Sequence, residues 1–188
     1  MAKDTIKQKN AEIRQSKDFT TIRRTDREVT DEAWIKRILR EGAFGTLGTS
    51  LDDQPFLNVN NYVYDEGAHA LYFHRSRIGR TSANLEANPR VCYSVAEMGR
   101  VKTADKAADF GVEYQSVMVF GTASQVTDPE EAGRALRLLL EKYAPHLSFG
   151  EDYQPFDSED LKRTAVYKIA IEGWSGKQRV IDEVAEEG

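Results

Sequence analysis

Between residues 43 and 74 three strand-like runs follow one another across turns too short to contain a helix: AFGTLGTS at 43–50, PFLNVNNYVY at 55–64 and HALYFH at 69–74. The connections Leu51-Asp52-Asp53-Gln54 and Asp65-Glu66-Gly67 are polar turn sequences. Strands joined this tightly pair antiparallel, because a parallel neighbour needs a crossover of a dozen or more residues. Further strands are expected near 90–96 and 114–127, separated by a polar and mobile loop at 99–112, and a last one at 164–172 (TAVYKIAIE). About six strands without a regular β-α-β alternation predict a mainly β protein, a closed antiparallel barrel with flanking helices.

The helices are few and well marked. One is expected from about Thr30, with Asp31 and Glu32 in its first turn, apolar Trp34, Ile35, Ile38 and Leu39 on one face, and Gly42 as its stop. Such a helix would close one end of the barrel. A short helix over Thr81–Asn88 is ended by Pro89. The strongest runs from Asp128 to Ala144, with Asp as cap, Pro129 at the first helical position and apolar residues at 132, 135, 136, 139, 140 and 143.

The ends differ from this middle. Residues 1–28 are charged with little periodicity and are expected to be an arm, residues 29–181 form one domain, and 182–188 (DEVAEEG) form an acidic tail whose charge could attract the arm across a dimer. With a net charge of −5 there is no overall positive field to draw the chain to nucleic acid or an anionic membrane. Neither a signal-peptide-like start nor a run of about 18 apolar residues is present, so a cytoplasmic protein is expected. The single cysteine, Cys92, lies in the apolar run from Val91 to Ala96, which excludes an internal disulfide and reads as a small hydrophobe.

Chemistry-bearing residues gather in four places. Strand alternation puts Asn58, Asn60, Tyr62 and Tyr64 on one face and Leu57, Val59 and Val63 on the other. The asparagine row could meet the edge of a heterocycle, or be the polar face of a half-solvated strand. The segment His74-Arg75-Ser76-Arg77-Ile78-Gly79-Arg80-Thr81-Ser82 sets three arginines and a glycine just before a helix start. A phosphate cradle and a solvated basic loop both fit it. Ser116 alternates with apolar neighbours in a strand, and Trp174 and Lys177 lie beside glycines after the last strand, where a ring and a cation could close over a flat anionic ligand. No phosphate-binding glycine pattern of the P-loop or Rossmann type, no metal-ligand spacing among His69, His74 and His146, and no nucleophile elbow occurs.

From about residue 22 to 177 the sequence resembles the FMN-binding split-barrel family that includes pyridoxamine 5'-phosphate oxidase, and within it the nitroimidazole-resistance (Nim-like) branch. The resemblance is carried by RRTDREVTDEAW, PFLNVNNYVYD, LYFHRSRIGRTSANLEANPRV, SVMVFGTASQV with the helix after it, and WSGK. It implies a six-stranded antiparallel split β-barrel binding FMN. Asn58, Val59, Asn60, Asn61 and Tyr62 would line the isoalloxazine and ribityl chain, His74, Arg80 and Thr81 the phosphate, and Ser116 stands where many relatives use glutamine. Members form homodimers with FMN at the subunit interface, so Trp174 and Lys177 would reach the flavin bound mainly by the other chain. Two departures speak against vitamin B6 oxidation: Thr81 replaces a usual lysine, and the arginine and histidine pattern after the C-terminal tryptophan is missing. The function implied is an FMN-dependent oxidoreductase taking electrons from NADH or NADPH to a small acceptor such as a nitroaromatic or quinone. The alternatives are a protein that binds flavin, haem or a deazaflavin without turnover, and an empty dimeric scaffold.

Overall fold

A computed structural model describes residues 2–16 and 18–181. Its centre is one antiparallel sheet of eight strands: β1 (Glu28–Val29), β2 (Gly45–Leu51), β3 (Gln54–Asn60), β4 (Val63–Asp65), β5 (Ala70–Ser76), β6 (Arg90–Lys102), β7 (Gly111–Gln125) and β8 (Thr164–Arg179). The strand order is β3-β2-β6-β7-β8-β5-β4, with β1 paired to β8. The two ends of that path, β3 and β4, are consecutive in the chain and separated only by Asn61 and Tyr62, so the sheet must curl until its edges meet. Leu47, Leu71, Tyr93, Val117 and Ile169, drawn from five strands, accordingly share one buried core.

The expected hairpins form where turn chemistry asked for them. Asp52 and Asp53, both at positive φ (49° and 61°), make the two-residue turn between β2 and β3, the type I′ geometry that matches strand twist. The strand expected over 55–64 breaks at Asn61 and Tyr62 into β3 and β4, although the predicted alternation of faces survives the break. The loop expected at 99–112 is shorter than its composition suggests: β6 and β7 pair as far as Lys102 and Gly111 around an irregularity between Met98 and Val101, leaving 103–110 as the connection with a 3-10 turn at Ala107–Asp109. The polar side chains of 99–102 and 111–112 stand on a ladder held by backbone bonds, which composition does not reveal. Likewise β8, expected to end at 172, continues to Arg179, past a bulge opposite Phe120 and Gly121. Gly121 permits the crossing there: a Cβ would sit 2.0 Å from the carbonyl oxygen of Ala170.

Among the described residues five α-helices accompany the sheet: α1 (Ala2–Gln15), α2 (Glu32–Glu41), α3 (Arg80–Ala87), α4 (Pro129–Tyr143) and α5 (Ser158–Arg163). In α2, Asp31 caps the N-terminus by accepting from the Ala33 N–H, and Ile35, Ile38 and Leu39 enter the main core with Trp34 packed at its margin. Helix α4 carries Ala132, Ala135, Leu136 and Leu139 onto the outer side of the sheet, against Val63, Ala70, Tyr72 and Val166, in a second core. Strand β5 is therefore buried on both faces over Ala70–Phe73. Of residues 1–28, Ala2–Gln15 form α1, whose described side chains are mostly exposed, while Thr25–Arg27 make a 3-10 turn and Glu28 pairs with Lys177 in the sheet. Six residues are too few for α5 to show a periodic stripe; its mark is the capping box between Asp157 and Asp160. The acidic tail 182–188 lies outside the described residues.

Candidate functional site

The asparagine row points inward at the mouth of the barrel. Asn58 pairs with Leu47 and Asn60 with Gly45 across β2, and Asn60 is buried. Buried amides need partners, and these find one across the split: Arg75 on β5 donates through Nη1 to Asn58 Oδ1 and to Asn60 Oδ1, the latter at 2.6 Å. One guanidinium thus ties β3 to β5, where no backbone ladder joins them. The opposite side of β3 inverts the usual pattern, for its apolar residues face out: Leu57 is 68% and Val59 65% exposed.

Beside Arg75 the chain turns into α3. Gly79 precedes the helix at φ 150°, where a side chain would be strained, and it supplies no side-chain cap. The N–H groups of Arg80, Thr81 and Ser82 open the helix, and the first hydrogen bond into it is from Ala83 N to Gly79 O at 3.1 Å. Such a first turn presents uncapped donors and the positive end of the helix dipole. Asn84, which is buried, fixes the helix against β2 through Nδ2 to Thr49 Oγ1 at 2.9 Å. Arg75, Gly79, Arg80, Thr81 and Ser82 line a recess of about 100 Å³, a few water volumes and so sized for a phosphate group.

A larger cleft of about 410 Å³ adjoins it, lined by Val59, Asn60 and Asn61 on one wall and by His74, Arg75 and Arg163 among others. Arg75 and Ser76 belong to both cavities. Desolvation at the cleft wall, and then the Arg75 cation, hold His74 below the ordinary histidine pKa although its side chain is exposed, which favours the neutral ring with one donor and one acceptor. Among the described residues no group of three or more His, Cys, Asp or Glu side chains could hold a metal, and no helix is long and apolar enough to cross a membrane.

The structure therefore brings together Asn58, Val59, Asn60, Asn61, His74, Arg80 and Thr81. It places the other candidates elsewhere. Tyr62 is wholly buried, its ring against Tyr93 and its backbone N–H donating to the Tyr143 hydroxyl. Trp174 pairs with Val119 on the inward side of the sheet and packs edge-on to Tyr64 and His69. Ser116 and Lys177 stand directly opposite one another on the outward face, in register with Ala96. Since β8 is four strands from β3 in the sheet, Lys177 lies about 19 Å along the surface from Val59 at ~4.8 Å per strand.

Arg75 was read as one of three arginines in a candidate phosphate cradle without being singled out as a cofactor ligand, and Arg163 is the residue the sequence reading missed. Arg75 was legible as the alternate neighbour of Phe73 on a strand whose inward residues are apolar, where a cation needs a partner. Arg163 carried no signal.

The sequence profile of the family described as pyridoxamine 5'-phosphate oxidase matches residues 31–178. No curated protein matches the chain at a significant level. Among solved structures, the fold is similar to the flavocytochrome Anf3 from Azotobacter vinelandii, with 24% identity and a TM-score of 0.77 over 90% of this chain and 78% of that one. It is similar to an FAD and heme binding protein from Mycobacterium smegmatis, at 19% identity and TM-score 0.73 over 84% and 77% of the two chains. A candidate 5-nitroimidazole antibiotic resistance protein from Bacteroides thetaiotaomicron is also similar, at 20% identity and TM-score 0.66 over 80% and 86%.

Proposed function

The chain belongs to the pyridoxamine 5'-phosphate oxidase family, and from that premise we propose that it holds FMN in a homodimer and carries electrons from NADH or NADPH to a small acceptor such as a nitroaromatic or quinone. The observation that carries this reading is the phosphate-sized recess at the start of α3, where uncapped N–H groups, Arg75 and Arg80 converge beside a larger cleft. Arg80 and the N–H groups of Thr81 and Ser82 would hold the phosphate, arginine by a forked pair of charge-assisted bonds. The strand from Val59 to Asn61 would support the ring, with the exposed Asn61 amide offering a donor and an acceptor to its edge. A bound flavin supplies hydride and electron transfer chemistry, so no side chain need act as a nucleophile.

Two features support a dimer. The outward side of β3 exposes Leu57 and Val59, and the row through Val59 runs in register across Thr46 and Ser94 to the exposed Met118; exposed apolar side chains grouped on one face are a mark of interfaces. Ser116 and Lys177 lie too far along that face to meet a flavin held on β3 of their own chain, but a second copy packed on the face would bring them to it. There Lys177 would stabilise negative charge on the reduced ring. Similar folds that bind FAD and heme make cofactor storage without turnover the second reading.

The test is to compare FMN with riboflavin in wild type and Arg80→Ala. FMN should weaken tenfold or more while riboflavin changes little, since only FMN carries the phosphate. Equal losses would remove the phosphate assignment. Flavin that stays oxidised with both NADH and NADPH would favour storage.

A further inference from the structure

The cations around the two cavities exceed what one phosphate needs. The chain is acidic overall, at −5, yet among the described residues the lining of both cavities includes Arg75, Arg80 and Arg163 and no carboxylate. Arg80 belongs to the small recess alone and Arg163 to the large cleft alone, with Arg75 between them. Arg163 ends α5, and the next residue, Thr164, pairs with Ser76 of β5, so the backbone ladder fixes this arginine's root on the wall facing Val59–Asn61. Among the described residues its partner is Asp160, at 3.1 Å, on the same short helix and exposed to solvent. An exposed pair of this kind contributes little and yields readily to a stronger anion. On Arg75 only Nη1 is engaged, by two amide oxygens, which leaves the rest of a five-donor fork for a ligand.

We infer that Arg163, with Thr164 and the remaining donors of Arg75, forms a second anion subsite that takes the pyrophosphate of a dinucleotide. The inference rests on the flavin reading, in which the recess is already filled by the flavin's first phosphate. A planar, permanently charged guanidinium at the far wall of a cleft of about 410 Å³ suits a multiply charged phosphate chain better than a neutral acceptor. The pyrophosphate has two sources, the nicotinamide donor that must approach the ring and the adenylate half of FAD.

The experiment titrates ADP-ribose into the FMN-loaded full chain, and FMN and FAD into the flavin-free chain, for wild type, Arg163→Ala and Arg163→Lys. A donor subsite predicts roughly tenfold or greater loss of ADP-ribose affinity in Arg163→Ala, a smaller loss in Arg163→Lys, and unchanged FMN binding. A subsite for the flavin's own second phosphate predicts that wild type holds FAD more tightly than FMN and that Arg163→Ala abolishes the difference. Unchanged ADP-ribose and FAD affinities in Arg163→Ala, with FMN still bound, overturn the subsite alone. FMN that binds neither chain overturns the flavin reading and the subsite together.

Discussion

The outer surface of the sheet is finished in two different ways. Over β4, β5 and β8 it is covered by α4, which buries Ala135, Leu136 and Leu139 against Tyr72 and Val166. Several polar groups around that contact are also paired: the Tyr72 hydroxyl donates to Glu131 at 2.6 Å, Lys168 reaches the same carboxylate at 3.0 Å, and Arg134 pairs with Asp65. Hydrogen bonding from Tyr72, and then from Lys168, holds Glu131 below its ordinary pKa. Over the outer side of β3, β2, β6 and β7 no helix among the described residues covers the sheet, and Leu57, Val59 and Met118 stand exposed. The same kind of surface is closed from within on one side and left open on the other. On the proposed function, the open face beside the cationic recess would be where a second copy shares the flavin, whereas α4 closes the other face by burial within the chain.

The sharpest way to break this comparison is to damage the two faces separately. Leu139→Ala on the covered face should cost about 2–5 kcal/mol in denaturant unfolding, the range for truncating a buried leucine. Leu57→Asp with Val59→Asp should leave the unfolding of the isolated chain nearly unchanged but turn dimer into monomer in sedimentation and release FMN. If the double variant unfolds as readily as Leu139→Ala while its association state stays the same, the open face is no interface.

Arg75→Ala probes the boundary between them. It removes bonds to two amide oxygens that are only part-buried, so the loss should fall near the low end of the charged-bond range, on the order of 2 kcal/mol in all, and FMN should weaken as well. A stability loss without any change in FMN affinity would make Arg75 a strap only.

Lys142, near the end of α4, tests the closed face by pH. Its Nζ is buried without a hydrogen-bond partner, 3.7 Å from the centre of the Tyr62 ring. Burial lowers its pKa from 10.5 to about 8. Because the folded value lies below the unfolded one, the destabilisation is full below pH 8 and fades as pH rises toward 10.5. Lys142→Met should therefore gain ~1–2 kcal/mol at pH 7, after allowance for the attraction of the ring, with the gain shrinking above pH 8 in unfolding curves taken across that range. A gain that does not depend on pH would contradict the burial cost.

The smallest effect is expected outside both faces. Deleting α1, whose described side chains are mostly exposed, should change the unfolding free energy by no more than ~0.5 kcal/mol. A larger loss confined to the dimer would place α1 in the interface and extend the open face.

Most of the architecture was readable because it rests on local rules. Asp52-Asp53 specify a tight turn, Asp128-Pro129 a helix start, and the alternation from Leu57 to Tyr64 the faces of β3 and β4. What alternation does not state is which face is inside: Asn58 and Asn60 turn inward because Arg75, distant in sequence, satisfies them. The extension of β8 through Gly173-Trp174-Ser175-Gly176 was hidden for a similar reason, since two glycines read as the strand's end until β7 lies alongside to pair with them. In the candidate site, the recess was legible from its arginines and glycine. Arg163 was not, because its place depends on the pairing of Thr164 with Ser76.

The central claim is that the recess at Gly79–Ser82 and the cleft beside it hold FMN. It is tested most directly by the absorbance spectrum of the purified chain, as isolated and again after incubation with FMN and desalting, with any chromophore identified by mass spectrometry. Flavin bands at about one FMN per chain are predicted; a haem-like band, or no chromophore retained after loading, would contradict it.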